Sequence, residues 1–206
     1  MRIGLISDTR LNNSNEMPDQ IIKAFQGVDL ILHAGGIQTA DVLDWLERIA
    51  PVKAVGRLEG GQAEQPQPFL NELADDPRVS TVDIMDLEGH RVGMVNELFL
   101  PRVRDEIMPN VIEGEGLPKG LVSQMVEEQF ESQVDIVVFG RTLYALIEEH
   151  EGILFVNPGS PSLPNQMRRL GSVGILELTP EGRCAQIIKL SDFSEPGRSP
   201  GAGRIF

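Results

Sequence analysis

The sequence predicts an α/β fold in one domain, and three observations lead to that prediction. In the first third of the chain, short apolar runs alternate with amphipathic stretches, which is typical of parallel βαβ units. From residue 79 onward, apolar runs flank turn residues, which is typical of antiparallel strand pairs. The chain has 206 residues, 41% of them hydrophobic, which is enough for one core. We expect a domain over 1–190 and a polar tail rich in Gly, Pro and Ser over 191–206.

The first third of the chain predicts three strands and two helices. The first helix carries Ile21, Ile22 and Phe25 at helical spacing and ends at Gly27. The second begins at Thr39, because threonine at this position can accept a hydrogen bond from the first free backbone N–H groups. The predicted strands are 3–6, 28–32 and 52–55.

The rest of the chain is richer in strands. Residues 79–84 and 91–95 flank Glu88-Gly89-His90 and predict an antiparallel hairpin. The pattern of 117–130 predicts a helix. The remaining apolar runs predict five short strands, at 134–139, 143–148, 153–156, 173–178 and 185–190.

Charge and composition exclude several classes of function. The 31 acidic and 18 basic residues give a formal charge of −13, which repels a polyphosphate backbone and argues against a nucleic-acid partner. The single cysteine, Cys184, cannot form an intrachain disulfide, so we expect a cytoplasmic protein. The first charged residue after Arg2 is Asp8, too early for a signal peptide or a membrane span, so no membrane partner is expected.

The candidate site residues follow the predicted strands. In open α/β sheets, ligands bind outside the carboxyl ends of the strands. We therefore expect one site that includes the residues found there: Asp8, Arg10, Gly36, Arg57, Glu59, Asn96, Glu97, Arg141, Asn157 and Ser160.

Three segments carry a resemblance to a known family. They are 3–9 (Ile-Gly-Leu-Ile-Ser-Asp-Thr), 33–35 (His-Ala-Gly) and 155–164 (Phe-Val-Asn-Pro-Gly-Ser-Pro-Ser-Leu-Pro). From residue 1 to about residue 190 the chain resembles the calcineurin-like metallophosphoesterases, in particular their small bacterial and archaeal phosphodiesterase branch. The resemblance implies a four-layer α/β/β/α sandwich of two mixed sheets flanked by helices. It also implies hydrolysis of phosphate esters by two adjacent divalent metals.

The same resemblance implies that the metal centre is degenerate. Of the family's ligand positions, Asp8 matches, Arg10 stands at the first histidine, and Gly36 stands at the bridging carboxylate. Other residue types also occupy the remaining positions of the motifs: Arg57, Glu59, Asn96, Glu97, Arg141 and Leu143. We therefore expect no metal cofactor. The alternative is a divalent ion such as manganese, for which Asp8 and Asn96 offer oxygen atoms.

Three of the substituted positions carry arginine. A guanidinium group stays protonated and presents a planar fork of donors to phosphate or carboxylate oxygens. One hypothesis is that Arg10, Arg57 and Arg141 form an anion-binding pocket. The other is that they form solvated salt bridges with the acidic residues of the same loops, Asp8, Glu59 and Glu97.

Two functions from different classes follow. The first is a non-catalytic homologue that binds a small anionic or phosphorylated ligand or acts as an interaction module, as a eukaryotic retromer subunit of this family does. The second is an active phosphodiesterase or phosphatase with a rearranged site, in which Asp8 is catalytic and helps Glu59, Asn96 and Glu97 to hold one metal. A protein partner or a homo-oligomer is a further expectation, and the segment 99–120 is either a lid, an oligomer contact or an ordinary surface loop.

Overall fold

Two mixed β-sheets pack face to face, and helices cover their outer faces. The computed structural model describes residues 1–11, 13–56, 73–103, 107–114, 116–162 and 170–194. The strands are β1 (Arg2–Ile6), β2 (Leu30–His33), β3 (Val52–Val55), β4 (Val79–Ser80), β5 (Val82–Leu87), β6 (His90–Val95), β7 (Ile136–Phe139), β8 (Leu146–His150), β9 (Ile153–Asn157), β10 (Ser172–Thr179) and β11 (Gly182–Lys189). The helices are α1 (Gln20–Ala24), α2 (Ala40–Glu47), α3 (Val111–Gly114) and α4 (Leu121–Phe130), with 3-10 turns at Ser14–Glu16 and Leu190–Phe193.

The topology explains the two halves of the sequence pattern. The first sheet has the order β11-β10-β1-β2-β3-β4, in which β1 to β4 are parallel and β10 and β11 are antiparallel additions. The second has the order β5-β6-β7-β9-β8, with parallel β6, β7 and β9 between antiparallel edge strands. The predicted α/β sandwich of two mixed sheets is therefore confirmed.

The central strands are apolar on both faces because both faces are covered. In β7, Ile136 and Val138 lie in the core between the sheets, whereas Val137 and Phe139 lie in the outer core that includes α4. A third core lies between the first sheet and the two helices α1 and α2. A strand buried on both faces reads as a continuous apolar run, which is why these strands were visible in the sequence.

Several element boundaries differ from the prediction. The predicted strand 79–84 is wrong as a single strand, because the chain crosses between the two sheets at Thr81. Val79 pairs with β3 in the first sheet, and Val82 pairs with Val95 in the second. Ile22 is 49% exposed and does not belong to the core face of α1. The predicted N-cap of α2 is confirmed, since Thr39 Oγ1 accepts a hydrogen bond from Asp41 N at 3.3 Å.

Part of the described segment 99–120 packs against the fold, while Phe99 at its start is 53% exposed. Leu100, Ile107 and Ile112 are buried in the outer core beside α4. Gln129 of α4 fixes the start of the segment, since its side chain accepts a hydrogen bond from Phe99 N and donates one to the backbone oxygen of Glu97. Among the described residues, no helix combines the length and the apolar character that crossing a membrane requires.

Candidate functional site

The loops that follow β1, β2, β6, β7 and β9 meet at one edge of the sandwich. Backbone hydrogen bonds join Asp8 N to Gly35 O at 2.7 Å and Arg10 N to Gly36 O at 2.9 Å. A third joins Gly140 N to Asn96 O at 3.2 Å. The structure thus brings together most of the predicted site residues: Asp8, Arg10, Gly36, Asn96, Glu97, Arg141, Asn157 and Ser160. Arg57 and Glu59 lie outside the described residues.

The backbone at this edge is held in an uncommon conformation. Among the described residues, eight non-glycine residues have positive φ, and four of them lie here: Asp8 (52°), Arg10 (47°), Arg141 (75°) and Leu143 (66°). Each left-handed non-glycine residue costs about 1–3 kcal/mol and persists only where its surroundings enforce that conformation. Such concentration of strain is typical of a functional site rather than of a packing core.

Asp8 and Arg10 form a closed pair. The guanidinium of Arg10 donates two hydrogen bonds to Asp8 Oδ1, from Nη2 at 2.9 Å and from Nε at 3.2 Å. The Asp8 side chain is 1% exposed and the Arg10 side chain 39% exposed. The cation that balances the buried carboxylate is therefore a side chain of the protein itself.

Burial dominates the electrostatics of Asp8. Removal from water raises the pKa of this carboxyl above its ordinary value of 3.8, and the hydrogen bonds and charges of Arg10 and Arg141 offset only part of that rise. Asp8 Oδ2 is buried and has no hydrogen-bond partner among the described residues, and the same is true of Asn96 Oδ1. Two oxygen atoms at this edge are thus left without donors.

Arg141 stands next to Arg10 on the open side of the site. Arg10 Nη2 lies 3.4 Å from the backbone oxygen of Arg141. The Arg141 side chain is 44% exposed, and its Nε lies 3.7 Å from Glu97 Oε1. Arg141 and Glu97 border a shallow depression that is also lined by Leu98, Ile107, Phe139, Gly140 and Thr142. At 3.7 Å this ion pair is too long for a hydrogen bond.

Buried polar side chains tie these loops together. Ser160 Oγ donates to Asp8 O at 2.9 Å, and Ser7 Oγ donates to Gly159 O at 2.7 Å. Asn157 Nδ2 lies 3.1 Å from both Gly140 O and Thr142 Oγ1. The sequence placed Asn157 and Ser160 at the site, and their hydrogen bonds show that they hold the arginine-bearing loops.

His33, to which the sequence pattern assigns no role, lies under the site. His33 is fully buried, and its Nε2 lies 3.2 Å from Thr9 Oγ1. Burial lowers the pKa of His33 to about 3, so the imidazole is neutral at pH 7. A histidine at the end of an apolar strand was the only available signal, and that signal does not distinguish a buried neutral ring from a ligand.

The free energy of unfolding is expected to fall on acidification because of His33. The unfolded chain takes up a proton at this side chain near pH 6.5, whereas the folded chain does so only near pH 3. The contribution of neutral His33 to the free energy of unfolding is fully present above pH 6.5. Below that pH it falls by about 1.4 kcal/mol per pH unit. Urea titrations between pH 7 and pH 4 should therefore show a steeper loss for the wild type than for His33→Gln; parallel curves would contradict a buried neutral imidazole.

The fold and the position of the site define a class of protein. Two mixed sheets with outer helices, and loops that converge at the carboxyl ends of their parallel strands, form the α/β/β/α sandwich of a phosphoesterase. Residues 1–181 match the family model of the calcineurin-like phosphoesterase superfamily domain, and the chain belongs to this family.

Relatives and solved structures agree with this membership. The chain is 31% identical over 190 residues to a protein of Methanothermobacter thermautotrophicus named "Probable metallophosphoesterase", and the match covers 92% of each chain. Vps29 from Entamoeba histolytica, solved in complex with zinc, has a TM-score of 0.62 at 18% identity and matches 94% of this chain and 95% of that one. An archaeal phosphodiesterase has a TM-score of 0.54 at 17% identity, covering 91% and 100%. These two structures are similar in fold.

The residues that the structure describes do not fit the pair of divalent metals that the family generally uses. Two adjacent cations require a dense set of Asp, His and Asn ligands. In the part of the chain that the structure describes, no three His, Cys, Asp or Glu side chains gather where they could hold a metal ion. Gly36 supplies no bridging carboxylate, and the guanidinium of Arg10 already occupies Asp8 Oδ1.

Proposed function

We propose that this protein is a non-catalytic member of the family that binds a small anionic or phosphorylated ligand at Arg10 and Arg141. The observation that carries the proposal is the pair of hydrogen bonds from the Arg10 guanidinium to Asp8 Oδ1. Asp8 is the one described ligand position of the family that keeps its carboxylate, and a tethered cation neutralises it. This arrangement supports the proposal that the positive charge of Arg10 takes the role of a metal ion.

The proposed replacement of a metal ion by Arg10 removes the group that activates water for hydrolysis. A metal lowers the pKa of bound water from about 15.7 to about 7 and so supplies hydroxide at neutral pH. Arginine can stabilise charge on a phosphoryl group, but it stays protonated and cannot generate a nucleophile. Among the described residues, the chain therefore keeps groups that recognise an anion and lacks groups that would activate water.

The orientation of the two arginines supports anion binding. Asp8 fixes the Arg10 guanidinium by two bonds to one oxygen, which leaves other N–H donors of this 39% exposed side chain available. Arg141 is 44% exposed, and the Glu97 carboxylate 3.7 Å away forms no hydrogen bond with it. An incoming phosphate can replace Glu97 at small cost, because exposed ion pairs contribute about 0–1 kcal/mol. Arg57 is proposed as a third donor.

Titration with inorganic phosphate tests the anion site. We expect the wild type to bind phosphate and Arg141→Ala to bind it about tenfold more weakly, which corresponds to one charge-assisted hydrogen bond. Arg91→Ala is the matched control, since Arg91 is 48% exposed and its Nε lies 3.9 Å from Asp86 Oδ1. Isothermal titration calorimetry measures all three proteins. Equal affinity of Arg141→Ala and the wild type would contradict the assignment.

A second candidate is an active metal-dependent phosphodiesterase with a rearranged site. The observation that favours it is the pair of buried oxygens, Asp8 Oδ2 and Asn96 Oδ1, which lack donors among the described residues. Oxygen atoms of this kind are ligands for a manganese ion. The solved structure of an archaeal phosphodiesterase with this fold is consistent with that candidate. The positive charge of Arg10 beside Asp8 Oδ1 opposes the binding of a cation there.

We propose a cytoplasmic location, a protein partner and a homo-oligomer from observations away from the anion site. Cys184 is exposed and unpaired, which supports a reducing cytoplasmic compartment. The likeness to Vps29 in fold supports a protein partner as an addition to the small ligand. A homo-oligomer remains part of the same proposal.

A further inference from the structure

We infer that Asn157 is the positioning residue that sets the direction of Arg141, an inference that rests on the proposed anion site. Asn157 is the last residue of β9, begins the Asn-Pro-Gly-Ser turn and is fully buried. Its described hydrogen bonds do not reach either arginine side chain. It acts on the peptide units on either side of Arg141.

The side-chain amide of Asn157 uses both of its heteroatoms. Nδ2 donates to Gly140 O and to Thr142 Oγ1, each at 3.1 Å, and Oδ1 accepts from Gly159 N at 2.9 Å. The two donor bonds end on the residues immediately before and after Arg141. Asn157 therefore brackets Arg141 from inside the protein.

The conformation of Arg141 needs such a bracket. Arg141 has a φ of 75°, and Thr142 N donates to Gly140 O at 3.0 Å, which closes a tight turn over it. A non-glycine residue in the left-handed region persists only where neighbouring groups fix it. Without Asn157, Gly140 O loses its side-chain donor, and the Arg141 side chain is released from its place beside Arg10.

The turn 157–160 also fixes the loop that carries Arg10. Ser160 Oγ donates to Asp8 O at 2.9 Å, and Ser7 Oγ donates to Gly159 O at 2.7 Å. Asp8 follows β1 of the first sheet and Arg141 follows β7 of the second, so the turn 157–160 connects loops of the two sheets at the site. Its hydrogen bonds set the spacing between the two guanidinium groups, and hence the size of the anion that reaches both.

The experiment combines native-state proteolysis with phosphate titration of the full chain. Trypsin cleaves after arginine, so the rate of cutting at the Arg141–Thr142 bond reports how firmly the turn is held, without any ligand. We compare the wild type with Asn157→Ala and Asn157→Asp. The aspartate variant keeps the acceptor for Gly159 N and loses the two donor bonds, so it carries the test if the alanine variant does not fold. Ser172→Ala is the control, because Ser172 Oγ anchors the turn through Pro158 O at 2.8 Å and touches neither arginine loop.

We expect cleavage after Arg141 to accelerate about tenfold in the Asn157 variants, with no comparable change after Arg91 in β6, and phosphate affinity to fall about tenfold. Ser172→Ala should change neither the rate of cleavage after Arg141 relative to Arg91 nor the phosphate affinity. Uniform acceleration at both arginines, or no acceleration, would overturn the positioning role. If the wild type binds phosphate and the Asn157 variants bind it equally well, the positioning role is wrong and the proposed function stands. If the wild type binds no phosphate, the proposed function fails and this role fails with it, even where cleavage after Arg141 accelerates.

Discussion

Replacing Arg10 by methionine is expected to lower the free energy of unfolding by about 2 kcal/mol at pH 7. Methionine keeps an apolar stem of similar length and removes the cation that donates two hydrogen bonds to Asp8 Oδ1. Removal of one partner of a fully buried ion pair costs about 3–5 kcal/mol, and the 39% exposure of Arg10 places this pair below that range. Urea unfolding at fixed pH measures the loss.

The pH dependence of that loss has a definite sign. Burial already raises the pKa of Asp8 above 3.8 in the wild type, and loss of Arg10 raises it further. A carboxyl with a raised pKa in the folded state loses stability as the pH rises through the interval between its ordinary and its raised pKa. The difference between Arg10→Met and the wild type should therefore be larger at pH 7 than in acid and should vanish as the pH falls below 3.8.

The control for this prediction is a double-mutant cycle with Asp8→Asn. Because burial outweighs the arginines at Asp8, Asp8→Asn alone should leave the free energy of unfolding at pH 7 unchanged or higher. In the Asp8→Asn background, Arg10→Met should lose much less than 2 kcal/mol, since no buried charge is left without its partner. The same loss in both backgrounds would show that Arg10 and Asp8 are not coupled.

The second large effect is expected at Gly36, the position at which the resemblance to the family implies a bridging carboxylate. A Cβ added to Gly36 would lie 2.6 Å from both Asp8 Cα and Asp8 Oδ1, closer than real Cβ atoms approach such neighbours. Gly36 also has a φ of 73°. We expect Gly36→Ala to lower the free energy of unfolding by about 3 kcal/mol, of which about 1 kcal/mol is due to the backbone conformation and the rest to overpacking.

Gly27 provides a matched control for Gly36. Its φ of 75° is nearly the same, and a Cβ there would meet no atom within 4 Å. Gly27→Ala should therefore show the conformational part alone, about 1 kcal/mol. Equal losses in the two variants, measured by urea unfolding, would contradict the close packing of Gly36 against Asp8. Gly36→Asp should likewise fail to restore a metal site without a shift of the Asp8 loop.

Much of the fold could be predicted because the central strands are buried on both faces. Runs such as 52–55 and 153–156 reappear as β3 and β9 with nearly the same bounds. The hairpin strand 79–84 could not be predicted correctly, because periodicity within one apolar run does not show that the chain changes sheets at Thr81. That change depends on which strand each half finds as a partner.

The residues of the site were easier to predict than their state. Strand ends and the family motifs located Asp8, Arg10 and Arg141. The sequence left open whether the arginines are open to an anion or paired with acids, and the structure shows partial pairing: Arg10 is bound to Asp8, while Arg141 lies near Glu97 without a hydrogen bond. The left-handed φ of Arg141 and the bracket by Asn157 arise from contacts between distant loops, and no local pattern encodes them.

If Arg10 takes the place of a metal, the chelator-treated protein should not bind manganese, and a titration with this ion tests that role most directly. Calorimetry records the titration, and hydrolysis of a generic phosphodiester is assayed in parallel. We predict neither metal binding nor turnover for the wild type. Micromolar manganese binding together with metal-dependent turnover would contradict this account and would support the rearranged phosphodiesterase site at Asp8 and Asn96.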